Sequence, residues 1–305
     1  MNGGEHIPVL LEETLEYLNI HRKGIYIDCT LGLGGHASEI LQRNPNASLI
    51  GFDLDERSLL KAKENLSPFA QRVTLYHSDF RYLPDLNLNF SKVRGILIDL
   101  GMSSFQLNSP ERGFSHTLEG PLDMRMDLRN KTTAFKILHK YSEPKLAQIF
   151  RDFGELKPAK KLAKVIASRR RIKEIETTTE LRQLVEDIFS WRPQKGKIHP
   201  AAKVFQALRI EVNQELKDLD AFLERVAYRV PPQTRIVVIS FHSLEDRIIK
   251  HTFLSLSMSP NNHNILRILT KKPVTPGPEE IDRNPRARSA KMRAAERIPN
   301  GTKKV

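Results

Sequence analysis

The chain has 305 residues, a single cysteine (Cys29) and a formal charge of +13. One cysteine excludes an internal disulfide and any multi-cysteine metal site, so no zinc is expected and Cys29 reads as a small buried side chain. No apolar run approaches the ~18 residues of a membrane span, and Met1-Asn2-Gly3-Gly4-Glu5-His6 has no basic region followed by an apolar stretch, so a soluble, cytoplasmic protein is expected.

The first apolar β-rich run is 25–29, and it leads directly into Asp28-Cys29-Thr30-Leu31-Gly32-Leu33-Gly34-Gly35-His36. A helical pattern begins at Ala37. Glycines between a strand and a helix remove the Cβ atoms that would block a close-approaching ligand, so the segment reads as a nucleotide-type cofactor loop. Gly32-x-Gly34-x-x-Ala37 also satisfies the dinucleotide fingerprint, with Asp53 near the spacing of a ribose-binding carboxylate. Asp28 stands where a carboxylate would repel a pyrophosphate, and so favours a cationic, phosphate-free cofactor such as S-adenosylmethionine. Both readings stay open at this point.

Further strand-like runs follow at 49–53, 73–77 and 96–100, alternating with helical or loop segments as in a parallel α/β sheet covered on both faces. About 130 mainly helical residues then intervene before a fifth run at 236–241, and Leu146, Ile149, Phe150 and Phe153 fall at i, i+3, i+4, i+7. The spacing predicts an inserted helical domain over 109–199, with 1–108 and 200–305 forming the sheet domain. A long helix opened by Pro200 is expected to carry Phe205, Leu208, Val212, Leu216, Leu219, Leu223 and Val226 on one stripe until Pro231-Pro232 ends it. After the fifth strand, Ser243 reads as an N-cap with Asp246 three residues on, and 265–269 reads as a sixth strand.

The positive charge is concentrated. Positions 157–173 hold eight basic residues and no acidic one, and positions 283–305 hold eight more against Glu296. Two such stretches favour a phosphate-rich partner, nucleic acid, over a merely solvated face.

With these blocks placed, the chain resembles the MraW family of ribosomal RNA small-subunit methyltransferases along its whole length. The resemblance rests on His6-x-Pro8-Val9-Leu10-Leu11-x-Glu13, the 28–36 loop, Asp53-Leu54-Asp55, Asp99-Leu100-Gly101-x-Ser103-Ser104, Arg112-Gly113-Phe114-Ser115 and Gly120-Pro121-Leu122-Asp123-Met124-Arg125-Met126-Asp127. It continues through Phe205-Gln206-Ala207-Leu208-Arg209-Ile210-x-Val212-Asn213, Ser240-Phe241-His242-Ser243-Leu244-Glu245-Asp246-Arg247 and Asn284-Pro285-Arg286-Ala287-Arg288-Ser289-Ala290. It implies a class I S-adenosylmethionine-dependent methyltransferase fold, a Rossmann-like sheet with an inserted helical domain. It also implies methylation of the exocyclic N4 of a cytidine in the decoding region of small-subunit (16S) ribosomal RNA, free or within the 30S particle. Cofactor contacts implied by the resemblance fall on Gly34, Gly35, His36, Asp53, Phe80, Asp99 and Gln106, to which the loop itself adds Asp28.

Three positions depart from the family pattern. Phe105 replaces a usual proline, Asn108 an aspartate, and Leu156 the second glutamate after Gly154-Glu155.

Each site residue has its own chemistry. Asp53 can accept both ribose hydroxyls, Phe80 can cover an adenine face, and His36 is expected to act through its backbone N–H more than its imidazole. A cytosine amine needs an acceptor for the proton it loses, and the candidates are Asp99, Ser240 and His242, of which Ser240 and His242 are the expected catalytic residues. Phe105, Phe114 and Arg125 could serve as a stacking platform, and Arg112, Arg125, Arg209, Arg247, Arg286 and Arg288 as RNA contacts, about half of them expected to be structural instead. The alternatives are a dinucleotide-dependent oxidoreductase and a non-catalytic RNA-binding assembly factor. Monomer and homodimer are both left open.

Overall fold

The computed structural model describes residues 8–193, 198–258 and 264–299. His6, Lys303 and Lys304 lie outside the described residues. The chain divides into two compact units, 1–101 with 218–305, and 102–217.

In the first unit, α1 (Leu11–Leu18) precedes β1 (Gly24–Asp28), α2 (Gly35–Arg43), β2 (Ala47–Asp53), α3 (Glu56–Asn65), β3 (Val73–His77) and β4 (Val93–Asp99). The second unit follows, with α4 (Ser104–Asn108), α5 (Ala134–Lys140), α6 (Glu143–Asp152), α7 (Ala159–Arg169), α8 (Thr178–Phe189) and α9 (Pro200–Asn213). The chain then returns to the first unit through α10 (Leu219–Arg229), β5 (Arg235–Ser240), α11 (Ser243–Ser257), β6 (Leu266–Ile268), α12 (Pro278–Arg283) and β7 (Lys291–Arg297).

The seven strands form one sheet in the order β3-β2-β1-β4-β5-β7-β6. The first five are parallel to their neighbours, whereas β7 runs antiparallel to both β5 and β6. This is the class I methyltransferase arrangement implied by the resemblance. Alternation along the strands feeds two cores. Ile27, Phe52, Ile96, Ile98, Ile236 and Val238 pack with α10 and α11 side chains on one face, and Tyr26, Leu49, Leu97, Val237 and Ile239 with α1, α2 and α3 side chains on the other. Strand order reverses between β1 and β4, and ligands of open α/β sheets bind at the carboxyl ends of strands at such a point. Asp28 and Asp99 are the residues that end those two strands.

The second unit is helical. Leu146, Ile149 and Phe150 are buried as the spacing predicts, and Leu156 is buried beside them at 8% exposure. Its limits are wider than 109–199. The reason is α9, which packs on α5, α6 and α8 rather than on the sheet.

The continuous helix expected from Pro200 to Pro231 is two helices. Gln214 (φ 52°) and Asp218 (φ 55°) adopt left-handed backbone conformations between them, and a buried ion pair, Arg209 to Glu215 at 2.8 Å, sits at the turn. The apolar stripe is accordingly divided. Phe205, Leu208 and Val212 belong to the helical unit, while Leu219, Leu223 and Val226 belong to the sheet core.

Two other expectations change. Part of the second basic stretch, Lys291, Arg293 and Arg297, is built into the sheet as β7, where Arg293 is paired with Asp246 at 2.6 Å and Arg297 is only 5% exposed. The N-cap of α11 is His242, one residue before Ser243, with Glu245 rather than Asp246 completing the capping box.

Candidate active site

The loop after β1 is pinned by hydrogen bonds to neighbouring strand ends. The Cys29 N–H donates to the Leu97 carbonyl (2.8 Å), the Leu31 N–H to the Phe52 carbonyl (2.8 Å), and the Gly34 N–H to the Leu31 carbonyl (2.8 Å). Gly34 caps α2 at φ 82°, a backbone region costly for residues with a Cβ, and an added Cβ would also stand 3.2 Å from the Leu66 side chain. Cys29 itself is buried, and burial pushes its thiol well above the usual range. It is packing, not a nucleophile.

Three carboxylates meet this loop. Asp28, 2% exposed, accepts from the Thr30 N–H at 3.1 Å. Asp53 accepts from the Gly32 N–H through one oxygen (2.7 Å) and from the Asp55 N–H through the other (2.8 Å). Asp99 is fixed through its own backbone, whose N–H donates to Thr30 Oγ1 at 2.6 Å, and its Oδ1 is buried with no hydrogen-bond partner among the described residues.

Burial raises all three. Asp28 is pushed up to about 7 by desolvation, against the Thr30 N–H and with help from the Asp53 charge. Asp53 is pushed up to about 6 by desolvation, against the N–H groups of Asp55 and Gly32. Asp99 keeps 24% exposure, yet desolvation, Asp28 and Glu245 all drive it upward. Such a cluster holds negative charge poorly on its own, and a cation among its members supplies what it lacks. A pyrophosphate would add to the repulsion instead. The set fits a sulfonium and ammonium ligand with ribose hydroxyls, since the N–H groups of Gly32, Asp55 and Leu54 do not exhaust the acceptor capacity of the two Asp53 oxygens.

The remaining expected cofactor residues fall in different places. Gly35 and His36 form the first turn of α2. The His36 imidazole is engaged within the protein: the ring is 6% exposed, Nε2–H donates to the Val9 carbonyl at 3.0 Å, and Nδ1 stands 3.8 Å from Asp99 Oδ2. Phe80 follows β3 and packs edge-on against Phe222, ring centres 4.8 Å apart, so part of its surface is core. Gln106 lies in the second unit, where its side chain accepts from the Ser103 N–H (3.0 Å) and closes the capping box of α4, with Phe105 and Asn108 in the same short helix.

Both catalytic expectations weaken on inspection of their partners. The Ser240 hydroxyl, 1% exposed, donates to the Lys291 carbonyl at 3.2 Å. His242 Nδ1 accepts from the Glu245 N–H at 3.3 Å as the cap of α11, and Nε2 lies 3.2 Å from Glu245 Oε1. A ring nitrogen occupied by a helix N–H is not free to take a substrate proton.

The six arginines divide evenly. Arg112, 2% exposed, donates to the carbonyls of Arg125 (2.8 Å) and Met126 (3.2 Å), and its guanidinium lies 5.8 Å from the centre of the buried Phe114 ring. Arg125 is held by Asp123 at 2.7 Å and by the Asn130 carbonyl at 2.8 Å, and Arg209 by Glu215. These three make internal hydrogen bonds and ion pairs that hold the second unit together. Arg247, Arg286 and Arg288 are exposed in the first unit.

A further group of exposed cations lies on α7 and its flanks. Lys157, Lys160, Lys161, Lys164, Arg169, Arg171 and Lys173 are exposed, opposite the buried Leu162, Ala163, Ile166 and Ala167. Arg170 is the exception in this run. It donates to the carbonyls of Leu138 (2.5 Å) and Tyr141 (2.8 Å). No helix among the described residues is long and apolar enough to cross a membrane.

The "Ribosomal RNA small subunit methyltransferase H" of Caldicellulosiruptor saccharolyticus is 46% identical over 309 residues, covering 96% of this chain and 99% of that protein. A protein of the same name from Sulfurihydrogenibium sp. is 46% identical over 296 residues, with 96% and 99% coverage. A solved rRNA methylase from Streptococcus thermophilus aligns over 96% of this chain and 99% of its own, at 10% identity and a TM-score of 0.43, and adds nothing to the fold already read from the strand order. The profile of the MraW methylase family matches residues 3–298, and the chain belongs to that family.

Proposed function

We propose that this protein transfers a methyl group from S-adenosylmethionine to the exocyclic N4 of a cytidine in the decoding region of small-subunit ribosomal RNA. The observation that carries this reading is the set Asp28, Asp53 and Asp99 around a glycine loop at the switch point of the sheet. The naming of relatives that match nearly end to end supports the substrate class. The site of action is the cytoplasm, where small-subunit RNA or the 30S particle is the partner.

S-adenosylmethionine supplies an electrophilic methyl on a leaving group that is already good, so positioning dominates over acid catalysis. Asp53 offers both oxygens to the ribose, held in place by Gly32 and Asp55. Asp28 and Asp99 provide the negative field for the positive charges of the cofactor. The cytosine amine needs an acceptor that orients it and takes its proton. Of the three candidates, the Ser240 hydroxyl is committed to the Lys291 carbonyl and His242 Nδ1 to the α11 cap with Nε2 facing Glu245, while Asp99 Oδ1 has no hydrogen-bond partner among the described residues and keeps its acceptor capacity. The exposed cations of α7 and Arg247, Arg286 and Arg288 offer phosphate contacts for an RNA larger than one nucleotide.

Nucleoside mass spectrometry of small-subunit RNA from cells with and without the protein tests the reading. Loss of N4-methylcytidine is expected. A methyl on ring C5 or on a ribose hydroxyl would refute the regiochemistry, and unchanged nucleosides would leave a non-catalytic assembly factor.

A further inference from the structure

The peptide joining Val9 and Leu10 is gripped at both ends by side chains distant in sequence. Its carbonyl accepts from His36 Nε2–H at 3.0 Å, and its N–H donates to Glu280 Oε1 at 2.8 Å. Leu10 needs such a grip, because it opens α1 in a left-handed conformation (φ 50°), fully buried, with no side-chain cap. That conformation is strained in a residue with a Cβ.

A carbonyl oxygen can only accept, so the His36 proton sits on Nε2, and Nδ1 is bare whenever the ring is neutral. Nδ1 is the atom that stands 3.8 Å from Asp99 Oδ2. Among the described residues, the ionisable side chains identified around Asp99 are Asp28 on β1, Glu245 on α11 and His36 on α2. Of these, His36 alone can become positive.

We propose that His36 is a positioning residue of the cofactor site: anchored through Nε2 on the Val9 carbonyl, it holds Nδ1 against Asp99 and takes up a proton when that carboxylate ionises. The balance is simple. One proton leaves the Asp99 carboxyl and binds His36 Nδ1, turning two neutral groups into a carboxylate and an imidazolium, and nothing else is made or broken. The inference rests on the reading above of Asp99 as facing a cationic cofactor. It also gives the N-terminal block ending in Pro8-Val9-Leu10-Leu11 a chemical purpose, since that segment fixes which nitrogen faces the site.

The two ends of the ring can be separated. A glutamine amide reaches the position of Nε2 and keeps the donor to Val9, but offers nothing that titrates at Nδ1. S-adenosylmethionine affinity is to be measured by calorimetry from about pH 5.5 to about pH 8.5 in the wild type and in His36→Gln. The expected result is a variant-to-wild-type affinity ratio that worsens as the pH falls, with the acidic fall-off displaced upward by about one pH unit in the variant, because Asp99 has lost its cationic partner. Superimposable profiles would overturn the proposal, as would a loss of the same factor at every pH, which is what a purely structural role predicts.

If His36→Gln does not fold, nitrogen-15 NMR of the wild-type imidazole decides the matter. Adding S-adenosylmethionine should convert the ring from the Nε2–H tautomer to imidazolium, and a ring that stays neutral would overturn the proposal. Absence of any binding to the wild type would instead refute the cofactor reading, leaving the two failures distinct.

Discussion

The two units of this protein handle charge in opposite ways. In the sheet unit, three carboxylates are gathered around one loop, Asp28 and Asp53 held by specific N–H groups and all three pushed upward by their surroundings. In the helical unit, seven cations between positions 157 and 173 are exposed to solvent. Buried charge is strong and specific because water does not screen it, whereas exposed charge acts by number and is weakened by salt. Single substitutions should therefore be severe in the first region and graded in the second.

The largest effect is expected at Asp53. Asp53→Ala removes both ribose acceptors without touching the apolar core, and S-adenosylmethionine affinity should fall about 100-fold or more by calorimetry, since hydrogen bonds to a charged group contribute about 1.5–3 kcal/mol each. Unchanged affinity in a folded variant would erase the contrast between the units at its sharper end.

A graded effect is expected on α7. Changing Lys160, Lys164 and Arg171 together to glutamate should weaken binding to small-subunit RNA about tenfold near 0.1 M salt and flatten the salt dependence, because fewer counterions are released. A salt slope equal to that of the wild type would make this surface an ordinary solvated face. Arg170 is deliberately left out, since Arg170→Ala should lower thermal stability through the Leu138 and Tyr141 carbonyls rather than RNA affinity.

The carboxylate cluster also predicts a pH dependence of stability. Asp28 and Asp53 titrate near 7 and 6 in the folded protein, above the ~3.9 of an unfolded aspartate. The folded state thus keeps its protons longer, so the contribution of these groups to stability is greatest at low pH and is lost as pH rises from about 4 to about 7. Cofactor should restore it. In differential scanning fluorimetry, the rise in Tm on adding S-adenosylmethionine should be larger at pH about 8 than at pH about 6. An equal rise at both would show that the cluster does not face the cation.

The smallest effect is expected at His242. Loss of an N-cap costs about 1 kcal/mol, so His242→Ala should lower Tm by about 2–4 °C. Turnover and cofactor affinity should then decline in parallel. A selective loss of turnover would return His242 to the reacting centre.

Much of the sheet unit was legible because its strands are apolar runs ending in carboxylates or turn residues. Asp28, Asp53 and Asp99 could be placed at strand ends from that pattern alone. β7 could not, because Lys-Met-Arg-Ala-Ala-Glu-Arg carries charge at alternate and adjacent positions; its arginines become tolerable inside the sheet only through Asp246 and backbone carbonyls far away in sequence. The break after Asn213 was hidden for a related reason, since the helical apolar period runs straight through a turn that Gln214 and Asp218 make without glycine. Arg112, Arg125 and Arg209 look like RNA ligands until their internal acceptors are known. The imidazole of His36 was similarly opaque, its partner being a backbone carbonyl that no sequence pattern marks.

The place of β7 in the sheet governs how the chain can fold. It follows every other strand in sequence, yet it lies between β5 and β6, with Met292, Ala294 and Ala295 fully buried. Until β7 has been synthesised, β5 offers an unpaired edge bearing Ile236, Val237, Val238 and Ile239, and β6 has no neighbour at all. An apolar edge of that kind is a template for pairing between chains. Nascent chains stopped short of Lys291 are thus expected to depend on chaperones or to aggregate, and release of the last strand becomes the step at which the sheet is sealed.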